Sequence, residues 1–216
     1  SYLTRTQQGY PISYFLGYKT DGFFNTQAEV DAYNSQVTST WLPPKVGRWK
    51  IKDISGPNGV PDNIVDAYDK TFIGSPHPDF QVGFNLSLAY KNFDFNAFVF
   101  WNQGGEVFNY TKIQTDFNSY RYNRSSRMLY DSWTPENTDA SLPILDINDS
   151  YSNKYPTDYC IEDATYARLK TLQLGYTIPE SLISKVKMRQ LRIYIQAQNL
   201  LTFVNKDFTG LDPGTS

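Results

Sequence analysis

Val82, Phe84, Leu86, Leu88 and Tyr90 alternate with Gly83, Asn85, Ser87 and Ala89. After a turn at Lys91–Asp94 the alternation resumes through Phe95, Ala97, Val99 and Trp101. A period of two is the mark of a strand, because successive side chains leave a pleated backbone on opposite sides. Here one side is large and apolar, the other small and polar. Two environments produce this pattern. One is a soluble antiparallel sheet with a single dry face. The other is a transmembrane β-barrel, with lipid outside and water inside. Which solvent meets the apolar face decides the function.

Composition narrows the field. The chain has 216 residues, 40% of them hydrophobic, enough for a folded core. Aromatics are abundant, with 17 Tyr and 14 Phe, and Tyr and Trp suit sites that are dry at one end and wet at the other. A net charge of −2 gives no electrostatic case for nucleic acid. The lone Cys160 excludes an intramolecular disulfide and a cysteine-rich metal site. No stretch approaches the ~18–20 apolar residues of a spanning helix. Barrel strands need only ~9–11 residues, so a mean hydropathy of −0.51 is compatible with a membrane barrel. The start, Ser1-Tyr2-Leu3-Thr4-Arg5, lacks the form of a signal peptide and reads as a mature piece or a fragment.

Working outward, residues 1–79 read as mostly loop with one short helix. Thr26 and Glu29 stand at capping-box spacing, Val30, Tyr33 and Val37 share a helical face, and Pro43-Pro44 ends the helix. Short extended pieces are expected at 48–52 and 71–73. The hairpin occupies 80–102, and a very long connection follows at 103–164. A strand pair at 165–201 puts Leu172, Leu174 and Tyr176 on one face, joined through a helical turn at Leu182, Ile183 and Val186 to Ile193, Ile195 and Ala197. Counting by twos puts Arg168 and Lys170 on that same apolar face, at the strand end. There a lipid-facing cation would cost only ~0–1 kcal/mol. Residues 202–216 begin the next loop.

Short connections at one end of the strands and long ones at the other describe an all-β fold. The expectation is an antiparallel transmembrane β-barrel segment with long extracellular loops and a short loop helix, set against a soluble antiparallel sheet packed on a helix or a second sheet. Four strands cannot close a barrel, since about 8 is the smallest usual number, so this would be one part of it. The alternatives are a secreted carbohydrate-binding β-sandwich and, third, a surface glycosidase.

Several segments together resemble the SusC/RagA family of TonB-dependent outer-membrane transporters. They are Ser13-Tyr14-Phe15-Leu16-Gly17-Tyr18-Lys19-Thr20-Asp21-Gly22-Phe23-Phe24, then Ile73-Gly74-Ser75-Pro76-His77-Pro78-Asp79-Phe80, then Trp133-Thr134-Pro135-Glu136-Asn137. Arg168-Leu169-Lys170 with Leu174-Gly175-Tyr176, and Leu191-Arg192-Ile193-Tyr194 with Gln198-Asn199-Leu200, complete the series. The resemblance implies the near-C-terminal part of a barrel of about 22 strands in the outer membrane of a Bacteroidetes-type bacterium. It also implies import of glycans or peptides, with loops facing the exterior and lidded by a SusD-type lipoprotein. Energy would come from the TonB complex through a plug and TonB box outside this chain. Asn85, Ser87, Thr171, Gln173, Tyr194 and Gln196 would then face the lumen. The family often carries an acidic run similar to a calcium loop. The run at Asp53 to Asp62 departs from it, leaving Asp53, Asn58 and Asp62 as candidate ligands; an Asn-Gly and Pro-Asp turn cluster is the other reading.

Trp41, Trp49, Tyr110, Tyr120, Tyr122, Tyr130 and Trp133 fall in the expected loops, where rings could stack on sugars or instead pack the loops against each other or against a partner lipoprotein. Arg121, Arg124 and Arg127 form a basic cluster beside them. No catalytic constellation stands out. His77 lies between two prolines, Cys160 has no nearby histidine, and Gly104-Gly105 lacks the spacing of a phosphate loop, so an enzyme is not expected.

Overall fold

The computed structural model describes residues 3–39, 43–117, 123–146, 156–184 and 188–214. They form two compact units. One draws on Ser1–Pro76, Val107–Glu162 and Thr209–Leu211, the other on His77–Glu106, Asp163–Phe208 and Asp212–Ser216.

The second unit is a four-stranded antiparallel meander: β1 (Pro78–Tyr90), β2 (Phe93–Gly104), β3 (Tyr166–Thr177) and β4 (Arg192–Val204). Tyr90 pairs with Phe93, so the first turn is only Lys91-Asn92, tighter than the sequence suggested; Lys91 takes φ +53 to make it. Both strands of this hairpin extend about two residues beyond the expected bounds. The helical turn between β3 and β4 is α4 (Glu180–Ile183); Val186 lies outside the described residues.

The register overturns one expectation. Across β2 and β3, Leu169 pairs with Val99 and Thr171 with Phe98, which leaves Lys170 as an extra residue. Across β3 and β4, Leu169 pairs with Leu201 and Thr171 with Gln198, so β4 bulges too, at Asn199 and Leu200. Asn199 sits at φ +51, in the left-handed region that Asn tolerates better than most residues. A bulge re-aims the side chains beyond it. Leu169 therefore joins the face of Leu172. Arg168, paired with Phe100 and Thr202, joins the polar face of Thr171. Lys170 turns the same way, its Nζ 5.7 Å from the centre of the Phe100 ring. Neither cation stands on the apolar face, where counting by twos had put both.

The first unit is built from loops around an aromatic core of Tyr18, Phe23, Trp49, Ile51, Val65 and Trp133. Residues 10–24, expected as loop, contain the strands Tyr14–Gly17 and Thr20–Phe23. The latter pairs with Trp49–Ile51. Helix α1 (Gln27–Gln36) starts as expected, with the Thr26 hydroxyl accepting from the Glu29 N–H at 3.2 Å. Glu29 caps the Asn25 N–H rather than that of Thr26. Val30 is buried, and the Tyr33 ring meets Phe24 edge-on at 5.1 Å. The helix ends at Val37, well before Pro43. Extended Val37 leads into Thr38–Ser39, which pairs in parallel with Ile64–Val65. Between residues 103 and 164, where no periodicity was legible, lie α2 (Tyr110–Phe117) and α3 (Arg127–Tyr130).

The left-handed turn at Asn199 makes a β-branched residue there costly by ~1–2 kcal/mol, whereas glycine fits. Asn199→Val is expected to lower the urea midpoint of the intact protein, and Asn199→Gly to leave it close to unchanged.

Candidate functional site

The outer face of the sheet runs through Val82, Phe84, Leu86 and Leu88 on β1, and Phe95, Ala97, Val99 and Trp101 on β2. It continues through Leu169, Leu172 and Leu174 on β3, and Ile193, Ile195, Leu201 and Phe203 on β4. No position on this face carries a charge among the described residues. The side chains are open: Ile195 is 77% exposed, Phe203 68% and Phe84 59%. Fully covering one such side chain is worth roughly 1.5–3 kcal/mol, so a whole face of them demands an apolar partner. Aromatics mark both rims. Phe93 and Tyr176 touch at 4.7 Å beside the short turn, and Phe80 meets Trp101 edge-on at 5.1 Å at the other end.

The opposite, inner face is polar. The register aligns Asn85 with Phe98, Thr171 and Gln198, and Ser87 with Asn96, Gln173 and Gln196. Gly175 aligns with Asp94 and Tyr194. All six residues expected to face a lumen thus share this face. Ser87 Oγ donates to Asn96 Oδ1 at 2.7 Å, and Gln81 Nε2 to Asn102 Oδ1 at 2.9 Å. Phe98 and Phe100 interrupt the polar run; the Phe98 ring lies against Gly83, where a Cβ would stand 3.2 Å from it.

A bidentate ion pair, Arg192 to Asp94, spans β3 on this face: Nε donates to Oδ1 at 2.9 Å and Nη2 to Oδ2. The strand beneath it carries Gly175. A Cβ there would collide with the Asp94 carboxylate and with Arg192 Nη2 at 2.5 Å. Sequence inspection missed the three as a unit, because they are far apart in the chain and meet only through strand register.

In the loop unit, α2 holds a buried polar network. Lys112 Nζ lies 3.3 Å from Glu162 Oε1 and 3.9 Å from the centre of the Tyr159 ring. Glu162 also accepts from Asn109 Nδ2 at 3.0 Å, and from the Thr209 hydroxyl at 2.6 Å and N–H at 2.9 Å. Burial pushes the Glu162 carboxyl up, but the Thr209 and Asn109 hydrogen bonds and Lys112 outweigh it and hold its pKa below the usual 4.5. Asp116, buried, accepts from the Tyr159 hydroxyl at 2.7 Å and pairs with Arg127 at 2.9 Å. Burial and then the Asp116 contact drive the Tyr159 phenol upward. Burial raises the Cys160 thiol to about 11, leaving little thiolate at neutral pH.

The contact residues expected from sequence divide. Trp49 and Trp133 are corrected to core side chains, 7% and 3% exposed; Trp49 packs on Tyr159 at 5.2 Å, and Trp133 Nε1 donates to Asn25 Oδ1 at 2.7 Å. Their rings are not presented to a ligand. Tyr110 and Tyr130 are 63% and 73% exposed, and Arg124 is exposed. Arg127 leaves the basic cluster to pair with Asp116. Trp41, Tyr120, Arg121 and Tyr122 lie outside the described residues.

The acidic loop closes on itself. Asp53 Oδ2 accepts from the Asn63 N–H at 2.6 Å, Asp62 Oδ1 accepts from the Ile64 N–H at 3.1 Å, and Asn58 is exposed. Asp69, fully buried and missed in the sequence, accepts from the N–H groups of Ile54 (2.7 Å), Ser55 (3.1 Å) and Asp66 (2.8 Å). Its spacing from Asp66 is that of a capping box, the signal that could have found it. Asp53 Oδ1 is buried without a partner. No group of three or more His, Cys, Asp or Glu suited to a metal occurs among the described residues.

No family model matches the chain. TonB-dependent receptor P26 of Formosa agariphila is 32% identical over 210 residues, 97% of this chain and 20% of the relative. TonB-dependent receptor SusC of Bacteroides thetaiotaomicron is 29% identical over 200 residues, 92% of this chain and 17% of the relative. The RagAB peptide importer in its open-open state superposes with a TM-score of 0.69 at 23% identity, over 96% of this chain and 20% of that one. The chain thus spans about a fifth or less of these proteins.

Two outcomes are expected. Gly175→Val should force the Asp94–Arg192 pair apart and cost about 1–3 kcal/mol, read as a lower urea midpoint. The depressed carboxyl of Glu162 contributes stability that is fully present above 4.5, its ordinary pKa, and lost as pH falls through the folded value. The protection factors at α2, corrected for the intrinsic pH dependence of amide exchange, should therefore fall on acidification, and Glu162→Gln should flatten that acid limb while weakening protection at neutral pH.

Proposed function

Because this chain is a segment of a TonB-dependent outer-membrane transporter of the SusC/RagA type, we propose that its four strands are a stretch of the barrel wall. The observation that carries this reading is the charge-free, exposed apolar face set against a face of amides, hydroxyls and an ion pair. The first face meets lipid, the second meets the lumen and the plug. The open edges of β1 and β4 continue into neighbouring strands, which supply the unmade backbone hydrogen bonds that lipid does not tolerate. The loop unit faces the exterior and contributes to the vestibule, with Tyr110, Arg124 and Tyr130 as candidate contacts.

The whole transporter imports glycans or peptides together with a SusD-type surface lipoprotein, driven by the TonB complex. Three things support this: the curated relatives are TonB-dependent receptors, one of them SusC, and the structural neighbour is a peptide importer. The chain's own residues bind and orient by exposed aromatic and polar groups on the loops and line a polar passage. The relatives are receptors and importers rather than enzymes, and the reading assigns no catalytic residue.

The two faces give the test. Leu172→Arg puts a cation on the lipid face and should cost ~2–4 kcal/mol near the bilayer midplane, seen as loss of the folded transporter from outer membranes. Gln173→Arg, one residue away on the lumen face, should assemble at close to normal levels. Equal tolerance of both, or a monodisperse, cooperatively unfolding monomer of the 216-residue chain in water without detergent, would reject the barrel-wall reading.

A further inference from the structure

Arg168 is the place where the sheet departs furthest from simple alternation. The paired bulges turn it onto the inner face, between Phe100 and Thr202. There it is buried to 7% exposure, although nothing in strand pairing requires a guanidinium at that position. A buried arginine is costly unless its charge is matched. The match comes from the chain beyond β4: Arg168 Nη2 donates to Asp212 Oδ1. The guanidinium also lies 5.1 Å from the centre of the Tyr166 ring, which is itself 8% exposed. Asp212 caps its own turn, accepting from the Gly214 N–H at 2.8 Å, and Pro213 stiffens the turn. A Cβ at Gly214 would stand 3.3 Å from Arg168 Nη1 and from the Tyr166 hydroxyl. The turn therefore sits directly on the Arg168 and Tyr166 side chains, both on the inner face.

We propose that Asp212-Pro213-Gly214 is an in-turned strap, held across the inner face of the barrel wall by Arg168, and that it narrows the transport passage at that level. The inference rests on the lumen reading of that face. Arg168 acts as a positioning residue: it fixes the strap, and the strap, rather than bare strand surface, becomes the wall that a solute meets. The bulges follow from the same requirement. Without the extra residue at Lys170, Arg168 would point into lipid and could not reach Asp212.

The full-length transporter in liposomes tests this by hydrogen exchange. Arg168→Gln and Asp212→Asn should each raise amide exchange in the strap by about tenfold or more, the scale of a lost charged hydrogen bond. The double variant should add little to Asp212→Asn, which removes the Arg168 pair and also weakens the Gly214 cap. Unchanged strap exchange in both single variants would overturn the proposal. If Arg168→Gln also loosens the strand amides, Asp212→Asn, which lies outside the strands, decides alone, read at the Asp212 amide rather than at Gly214, whose N–H the substituted side chain accepts. A membrane-impermeant maleimide separates the underlying reading: Thr202→Cys should label from water, and Ala197→Cys, at mid-height on the opposite face, should not. Labelling of both would defeat the lumen assignment. A protected Ala197→Cys with unchanged strap exchange would defeat the strap alone.

Discussion

On the proposed barrel-wall reading one face of the sheet lies in hydrocarbon and must be kept free of charge, and the rest of the sheet is arranged around that requirement. Strict alternation satisfies it through most of the meander. It would fail at Arg168 and Lys170, which fall on the apolar side by simple counting. The double bulge at Lys170 and at Asn199 and Leu200 removes the conflict by shifting the phase of two strands at once. The cost is one left-handed asparagine and a local break in the ladder. The return is a continuous apolar outer face and a cation delivered to the inner one.

The inner face follows a different rule. On the same reading water meets that face and tolerates amides and hydroxyls, so Asn85, Ser87, Thr171, Gln173 and Gln196 need no elaborate pairing. Charges are matched instead. Asp94 and Arg192 reach each other because Gly175 leaves the space above β3 empty. Arg168 finds Asp212. Phe98 lies flat because Gly83 lets it. Two glycines in the sheet thus act by absence, each opening room for a neighbour on the wet side.

The loop unit holds together without a long regular element. Its core is aromatic, centred on Trp49, Phe23, Phe117 and Tyr159, and its polar interior is a matched network through Lys112, Glu162, Asp116 and Arg127. Such a core takes its members from distant points of the chain. That is why Trp49 and Trp133 looked like surface rings in the sequence and are buried in the fold. Tyr110 and Tyr130, chemically similar and also in loops, remain outside. Residue type alone does not separate the two groups; the partners do, and Asn25 and Tyr159 are far away in sequence.

Local chemistry was enough for the strands, their faces and the short connections, because alternation and turn residues act over a few positions. The ordered segments from Ser13 to Leu200 likewise carried the family. The phase of β3 beyond Lys170 was beyond local reading, since a bulge depends on which residue of the neighbouring strand lies opposite. So were the ion pair over Gly175, the burial of two tryptophans and the seat of the Asp212 turn, each of which joins residues that only the folded chain brings within a few ångströms. The sequence by itself determined that one face of this sheet is apolar and the other polar. The tertiary structure decided which face each cation occupies, because side-chain direction in a sheet belongs to the register between strands and not to any one of them.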